Sequence, residues 1–184
     1  MKVIIVLADG FETVEGLTVV DILRRGGVHV TTCSIGDSLM VETAHNVFIK
    51  ADAFLKDQRT EETDCLVLPG GVPGVRKMEQ DALVCSFVKE MNEKQKLVAA
   101  ICAAPVILGK CGILDQKKAT CYPKFEEELI AKEVVTDQMV VTDGNVVTSR
   151  SMATSMEFAF SLLSLLTDEE NSRKIRESVV FMYR

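Results

Sequence analysis

The sequence predicts an α/β domain in which a mostly parallel sheet is covered by helices on both faces. Three observations carry this. Near-continuous apolar runs recur at 3–8, 65–68 and 97–101, as strands buried on both faces require. Stretches with helical apolar spacing lie between them. No long linker or internal repeat breaks the alternation, so 1–184 reads as one domain.

The elements follow in order. Residues 3–8 form a buried strand. Val14, Leu17, Val20, Ile22 and Leu23 give helix 14–25, stopped at Gly26-Gly27. Val28 to Cys33 is a second strand, and Met40-Val41 with Val47-Phe48-Ile49 suggests a small hairpin. Cys65–Leu68 is a buried strand; Leu83, Phe87, Val88 and Met91 mark helix 81–94. Strand 97–101 runs into Cys102, and helix 103–110 is expected directly after it, with Pro105 tolerated in the first turn. Beyond lie a short extended piece at 119–120, an acidic helix at 123–131 and a strand at Val134-Val135. Strands 139–141 and 146–148 turn at Asp143-Gly144-Asn145, a hairpin signal. Helices 152–166 and 168–180 close the chain, the last capped at Thr167 or Asp168.

Composition narrows the function. With 47% apolar residues the chain can build a large core. A formal charge of -6 and no basic cluster disfavour a dedicated nucleic-acid surface or an anionic membrane. The N-terminal apolar run is too short for a membrane span and meets Asp9 at once; its lone Lys2 does not make a signal peptide. The six cysteines, at 33, 65, 85, 102, 111 and 121, contain no Cys-x-x-Cys pair. A domain of this size needs no staples, so reduced thiols in a cytoplasmic protein are expected. Two histidines and no Cys-x-x-Cys pair leave no zinc motif, and no metal is expected.

In open parallel sheets the site lies beyond the carboxyl ends of the strands. Four segments can converge there: Asp9–Glu15, Pro69-Gly70-Gly71, Cys102 and Ser149-Arg150-Ser151. A cysteine between a strand and a helix projects into a pocket, and free helix amides would favour its thiolate, so a thiol pKa below the ordinary value is expected. A buried, inert core cysteine is the other reading. Glu15 is either a helix-start acid or a buried carboxyl held protonated beside the thiol, able to relay a proton. Gly70-Gly71 is either a plain turn or, with the Ala103 amide, a backbone pocket for an oxyanion. Glu12 belongs to the more exposed turn. His45 rims the pocket at most, and His29 falls at the wrong sheet end. Position 103, where a base would follow the thiol, is Ala, which argues against a Cys-His hydrolase. Arg24 reads as a solvated charge and Arg150 as a loop anchor or an acid binder at an interface.

Four ordered motifs now stand out: Ala8-Asp9-Gly10-Phe11-Glu12-Thr13-Val14-Glu15, Val67-Leu68-Pro69-Gly70-Gly71, Ala99-Ala100-Ile101-Cys102-Ala103-Ala104-Pro105 and Thr148-Ser149-Arg150. Together they resemble the ThiJ/PfpI family over nearly the whole chain, in the branch of the parkinsonism-associated protein deglycase and its bacterial relatives. The resemblance implies a flavodoxin-like three-layer sandwich with a nucleophile elbow, usually a homodimer. It implies catalytic Cys102 and Glu15, and an oxyanion pocket from Gly70, Gly71 and Ala103. It also places Arg24, His45, Tyr122 and Arg150 near the pocket or a dimer edge. No cofactor is implied. There are departures. Tyr122 stands where human-like members carry a histidine, and Ser151-Met152-Ala153-Thr154-Ser155 replaces a Gly-Pro-Gly-Thr-Ser/Ala loop. Ala103 breaks the Cys-His pattern of the protease-like members.

The implied activity is glyoxalase or deglycase chemistry on methylglyoxal, glyoxal or their early adducts with proteins or nucleotides. Two alternatives stand beside it: a redox-sensing or stress-associated chaperone using an oxidisable Cys102, and a binding protein that retains only the fold.

Overall fold

The computed structural model describes residues 1–181. In chain order, β1 (Lys2–Leu7) leads to α1 (Thr13–Arg25), β2 (His29–Ser34), β3 (Met40–Glu42), β4 (Phe48–Lys50) and β5 (Ala53–Phe54). Then come β6 (Cys65–Leu68), α2 (Val72–Gln80), α3 (Ala82–Glu93), β7 (Leu97–Ile101) and α4 (Pro105–Lys110). The last part holds β8 (Lys118–Ala119), β9 (Glu133–Val134), β10 (Val140–Asp143), β11 (Val146–Ser149), α5 (Ser155–Leu166) and α6 (Glu169–Ser178).

The central sheet has the order β10-β11-β7-β6-β1-β2-β5. Every neighbouring pair is parallel except β10–β11, the hairpin closed by Asp143 opposite Val146. Numbered by appearance, the strands β2-β1-β6-β7-β11 follow the 2-1-3-4-5 order of flavodoxin-like folds. The sheet alternates its side chains between two cores. Ile4 and Val6 of β1 face the layer built by Val75, Met78, Val88, Met91, Val106 and Leu108. Val3, Ile5 and Leu7 face the layer of Val19, Leu23, Phe158, Leu162 and Leu163. This period-2 split explains why β1 is apolar throughout. Winding reverses between β1 and β6, so the loops after these strands part there and open a crevice.

Several expectations need correction. The segment expected as helix 123–131 is a 3-10 turn at Pro123–Phe125 followed by turns. It buries only Phe125 and Leu129, and three consecutive carboxylates at 126–128 gain nothing from being wound together. Helix α4 does not start at Ala103 but at Pro105, with Ala104 as its N-cap, and the chain turns at Cys102, which holds φ at +64°. The expected helix 152–166 begins as a 3-10 turn, Met152–Thr154, before α5. Helix α2 is hidden in the sequence by Pro73 and Gly74, yet Val75 and Met78 bury one short stripe. Between α2 and α3 the chain turns at Asp81, whose carboxylate caps α3 by accepting from the Leu83 and Val84 N–H groups at 2.8 and 3.3 Å.

Candidate active site

Cys102 sits at the end of β7 in a left-handed conformation that costs a non-glycine residue about 1–3 kcal/mol. Two hydrogen bonds hold it there. Its N–H donates to the Ser149 carbonyl at 3.0 Å, and its carbonyl accepts from the Tyr122 N–H at 2.8 Å. The side chain therefore leaves the sheet and enters the crevice.

Glu15 arrives from the first turn of α1 and is only 1% exposed. Its carboxyl accepts from the Gly70 N–H at 2.9 Å and from the Met152 N–H, and it hydrogen-bonds to the Cys102 thiol. Burial lifts its pKa from 4.5 to about 7; the bonds from Cys102, Gly70 and Met152 oppose the rise, and the nearby Glu12 charge adds to it. The thiol moves in the direction opposite to expectation. Burial first, and then the Glu15 carboxylate, push Cys102 up to about 12. The Ala103 and Gly71 N–H groups pull it down but do not prevail. The expected helix start that would have favoured the thiolate is displaced to Pro105. Thiol and carboxyl face each other across a hydrogen bond.

Two glycines make this approach feasible. A Cβ on Gly70 would lie 2.3 Å from Glu15 Oε2 and 2.6 Å from Cys102 Cβ. At Gly71, φ is +89° and a Cβ would meet Gly10 O and Glu12 N at 2.4 Å. Both obstacles are backbone, so Gly71→Ala should lower stability by roughly 3 kcal/mol in urea unfolding. A change under about 1 kcal/mol would mean that the loop relaxes freely.

The pocket above the sulfur is about 530 Å³. Glu12, Glu15, Gly71, Cys102, Tyr122 and Met152 line it, with His45 at the rim, where Nε2 lies 3.3 Å from Glu12 Oε2. The β3–β4 hairpin brings His45 there through the Phe11–Thr43 bridge and the Ala44 N–H to Phe11 carbonyl bond. The Glu12–His45 pair is not legible in the sequence; only the hairpin's fold-back creates it. Arg150 follows β11 and ties the adjoining loop to the 120s segment, donating to Glu126 at 3.0 Å. Arg24 is not brought to this pocket. It lies at the far end of α1, paired with Asp52 at 2.7 Å and donating to the Val30 carbonyl. Among the described residues, no three His, Cys, Asp or Glu side chains converge as a metal-ligand set. No helix among them is long and apolar enough to cross a membrane.

With this geometry in place, comparison with known proteins is decisive. The DJ-1/PfpI family model matches residues 1–165. The chain belongs to the DJ-1/PfpI family. Among DJ-1/PfpI relatives, Drosophila melanogaster dj-1beta is 33% identical over 181 residues, covering 98% of this chain and 97% of the relative. Arabidopsis thaliana DJ-1 homolog B is 37% identical over 180 residues, covering 97% of this chain but 41% of the relative, so the chain spans less than half of that plant protein. A Pyrococcus abyssi protein named as a deglycase is 34% identical over 131 residues, covering 71% of this chain and 77% of the relative. The crystal structure of Drosophila DJ-1beta superposes with TM-score 0.95 at 33% identity, covering 99% and 98% of the two chains. That of oxidized Toxoplasma gondii DJ-1 gives 0.94 at 32%, covering 99% of each.

Proposed function

We propose that this DJ-1/PfpI member is a cysteine-dependent glyoxalase or deglycase, acting on methylglyoxal, glyoxal or their early adducts with proteins or nucleotides. The observation that carries the reading is the buried carboxyl of Glu15 hydrogen-bonded to an elbow thiol. The deglycase name of the Pyrococcus relative supports the same class.

The chemistry needs no outside oxidant. Cys102 Sγ adds to the aldehyde carbon of methylglyoxal, forming a hemithioacetal while the oxygen takes a proton. Glu15 moves a proton from the aldehyde-derived carbon to the neighbouring carbon, through an enediol. The first carbon is thereby oxidised to a thioester and the ketone carbon is reduced to an alcohol. Water then cleaves the carbon–sulfur bond, releasing lactate and the thiol. With glyoxal the product is glycolate. The Gly71 and Ala103 N–H groups, which already face the sulfur, would hold charge on the adduct. A protonated Glu15 also suits nucleophilic attack: once neutral, it no longer repels the thiolate, and the two amides remain.

A direct test incubates amine- and thiol-free protein with methylglyoxal and follows lactate. No lactate above the buffer rate would reject the reading. The runner-up, an oxidation sensor or stress-associated chaperone, is favoured by the partly exposed Cys102 and by the oxidized state named for the Toxoplasma relative. Selective peroxide oxidation of Cys102 without turnover would select it.

A twofold homodimer belongs to the same proposal, built on α1 and the Arg150 loop. Arg150 already satisfies its guanidinium within its own chain, so its role is to hold that loop. Arg150→Ala should cost about 1 kcal/mol of stability and lower turnover about tenfold as Met152 loosens beside Glu15. Unchanged turnover would remove the loop from the site's support. Light scattering across dilution reads the assembly; a monomer at micromolar concentration would refute the dimer.

A further inference from the structure

Two sulfurs that the proposed chemistry does not use lie together on the other side of the molecule. Cys85 is in the first turn of α3, and Cys111 is the C-cap of α4, where Gly112 at φ +79° turns the chain away. Their Sγ atoms are 2.7 Å apart. This is closer than unbonded sulfurs rest, and a small movement would reach the bonded length of about 2.05 Å. Both belong to the hydrophobic layer beneath α2, α3 and α4, whereas Cys102 packs with the opposite layer.

We propose that Cys85 and Cys111 form a reversible intramolecular disulfide under peroxide, a second redox site of this chain that is separate from Cys102.

The two partners divide the work by access. Cys85 is partly exposed and Cys111 is buried. The Cys85 thiolate attacks one oxygen of a hydroperoxide and the O–O bond breaks. The departing oxygen takes a proton and leaves as water or alcohol, and Cys85 becomes a sulfenic acid. Cys111 sulfur then attacks the Cys85 sulfur and loses its proton, and the sulfenic hydroxyl leaves as water. Two thiols have lost two electrons to one peroxide. Burial holds the Cys111 thiol protonated, pushing it up to about 12, while the Lys89 ammonium favours its ionised form. Cys111 is thus a resolving thiol rather than a first target. A small-molecule or protein thiol reverses the bridge by exchange. The remaining buried sulfurs are placed differently: Cys33, Cys65 and Cys121 each lie against a backbone carbonyl.

The bridge would close a loop across the α3–β7–α4 unit, joining residues 26 positions apart. It would restrict the unfolded chain and raise Tm. The test uses the full chain, reduced and then freed of reductant. It is exposed to hydrogen peroxide, alkylated with iodoacetamide, and digested without reductant for peptide mass mapping. A Cys85–Cys111 linked peptide that dithiothreitol releases is expected, in wild type and equally in Cys102→Ser. In the Cys102→Ser background, oxidation should raise Tm by roughly 5 °C or more, and adding Cys85→Ser should abolish both the linked peptide and the rise. Under reductant, Cys85→Ser alone should match wild type in stability and turnover. The proposal is overturned if both cysteines remain individually alkylated while Cys102 oxidises. A bridge to another chain, or a bridge that forms only when Cys102 is present, overturns it too.

Discussion

Cys102→Ser should lower methylglyoxal turnover by about 10³-fold or more and leave the domain folded. A hydroxyl is a far weaker nucleophile than a thiolate at neutral pH, and nothing in the pocket replaces what sulfur supplies. His45, the pocket's imidazole, is largely exposed and paired with Glu12, and no hydrogen bond ties it to Cys102 among the described residues. Stability should change by less than about 1 kcal/mol, because the swap is nearly isosteric and the backbone bonds to Ser149 and Tyr122 persist. Lactate formation and urea unfolding on the same preparation separate the two effects. Retention of even a tenth of wild-type turnover would move the chemistry away from Cys102.

Glu15→Gln should be the second large loss, about 10²–10⁴-fold in turnover. The amide keeps a hydrogen-bond donor for the sulfur but cannot relay a proton. It should also change the pH dependence of stability, and the sign follows from the shift. The folded carboxyl holds its proton up to about 7, against 4.5 ordinarily. The native state therefore binds the proton more tightly than the unfolded chain. The advantage is fully present below pH 4.5 and is lost as pH rises through 7. That span corresponds to roughly 3 kcal/mol. Wild type should weaken across this window, while Glu15→Gln stays nearly flat through it. The variant should also ionise Cys102 more readily, since the carboxylate that repels the thiolate is gone. Thiolate absorbance near 240 nm against pH reads this. Peroxide oxidation of Cys102 should therefore survive the substitution, whereas turnover should not. Equal turnover in the two proteins would reject Glu15 as the relay.

Much of this architecture is legible from residues alone because β1, β6 and β7 are apolar on both faces, and only a sandwiched parallel sheet asks for that. The candidate site is legible for a related reason: the segments holding Glu15, Gly70 and Cys102 all leave the same sheet end. What escaped reading depended on contacts distant in sequence. Helix α2 is hidden by Pro73 and Gly74, yet Gly74 is required there, since a Cβ would lie 2.7 Å from the Phe11 nitrogen. The acidic stretch after Tyr122 has helical composition, but it buries only Phe125 and Leu129 and carries three successive carboxylates between them, and it settles as a 3-10 turn followed by turns. The direction of the thiol's pKa is not legible in the sequence, because the local pattern displays nearby amides and conceals desolvation, which is the larger influence here.

The clamp on Cys102 also orders events in time. Both groups that pin its backbone come later in the chain: the Tyr122 amide and, later still, the Ser149 carbonyl at the tip of β11. During synthesis the ribosome therefore delivers the nucleophile well before the parts that shape it. A nascent chain ending short of residue 149 carries Cys102 without the carbonyl that accepts from its amide, so one of the two bonds that hold the left-handed conformation is missing. Competence arrives only when the final third of the protein is made, so truncated products carry the thiol without the geometry that disciplines it.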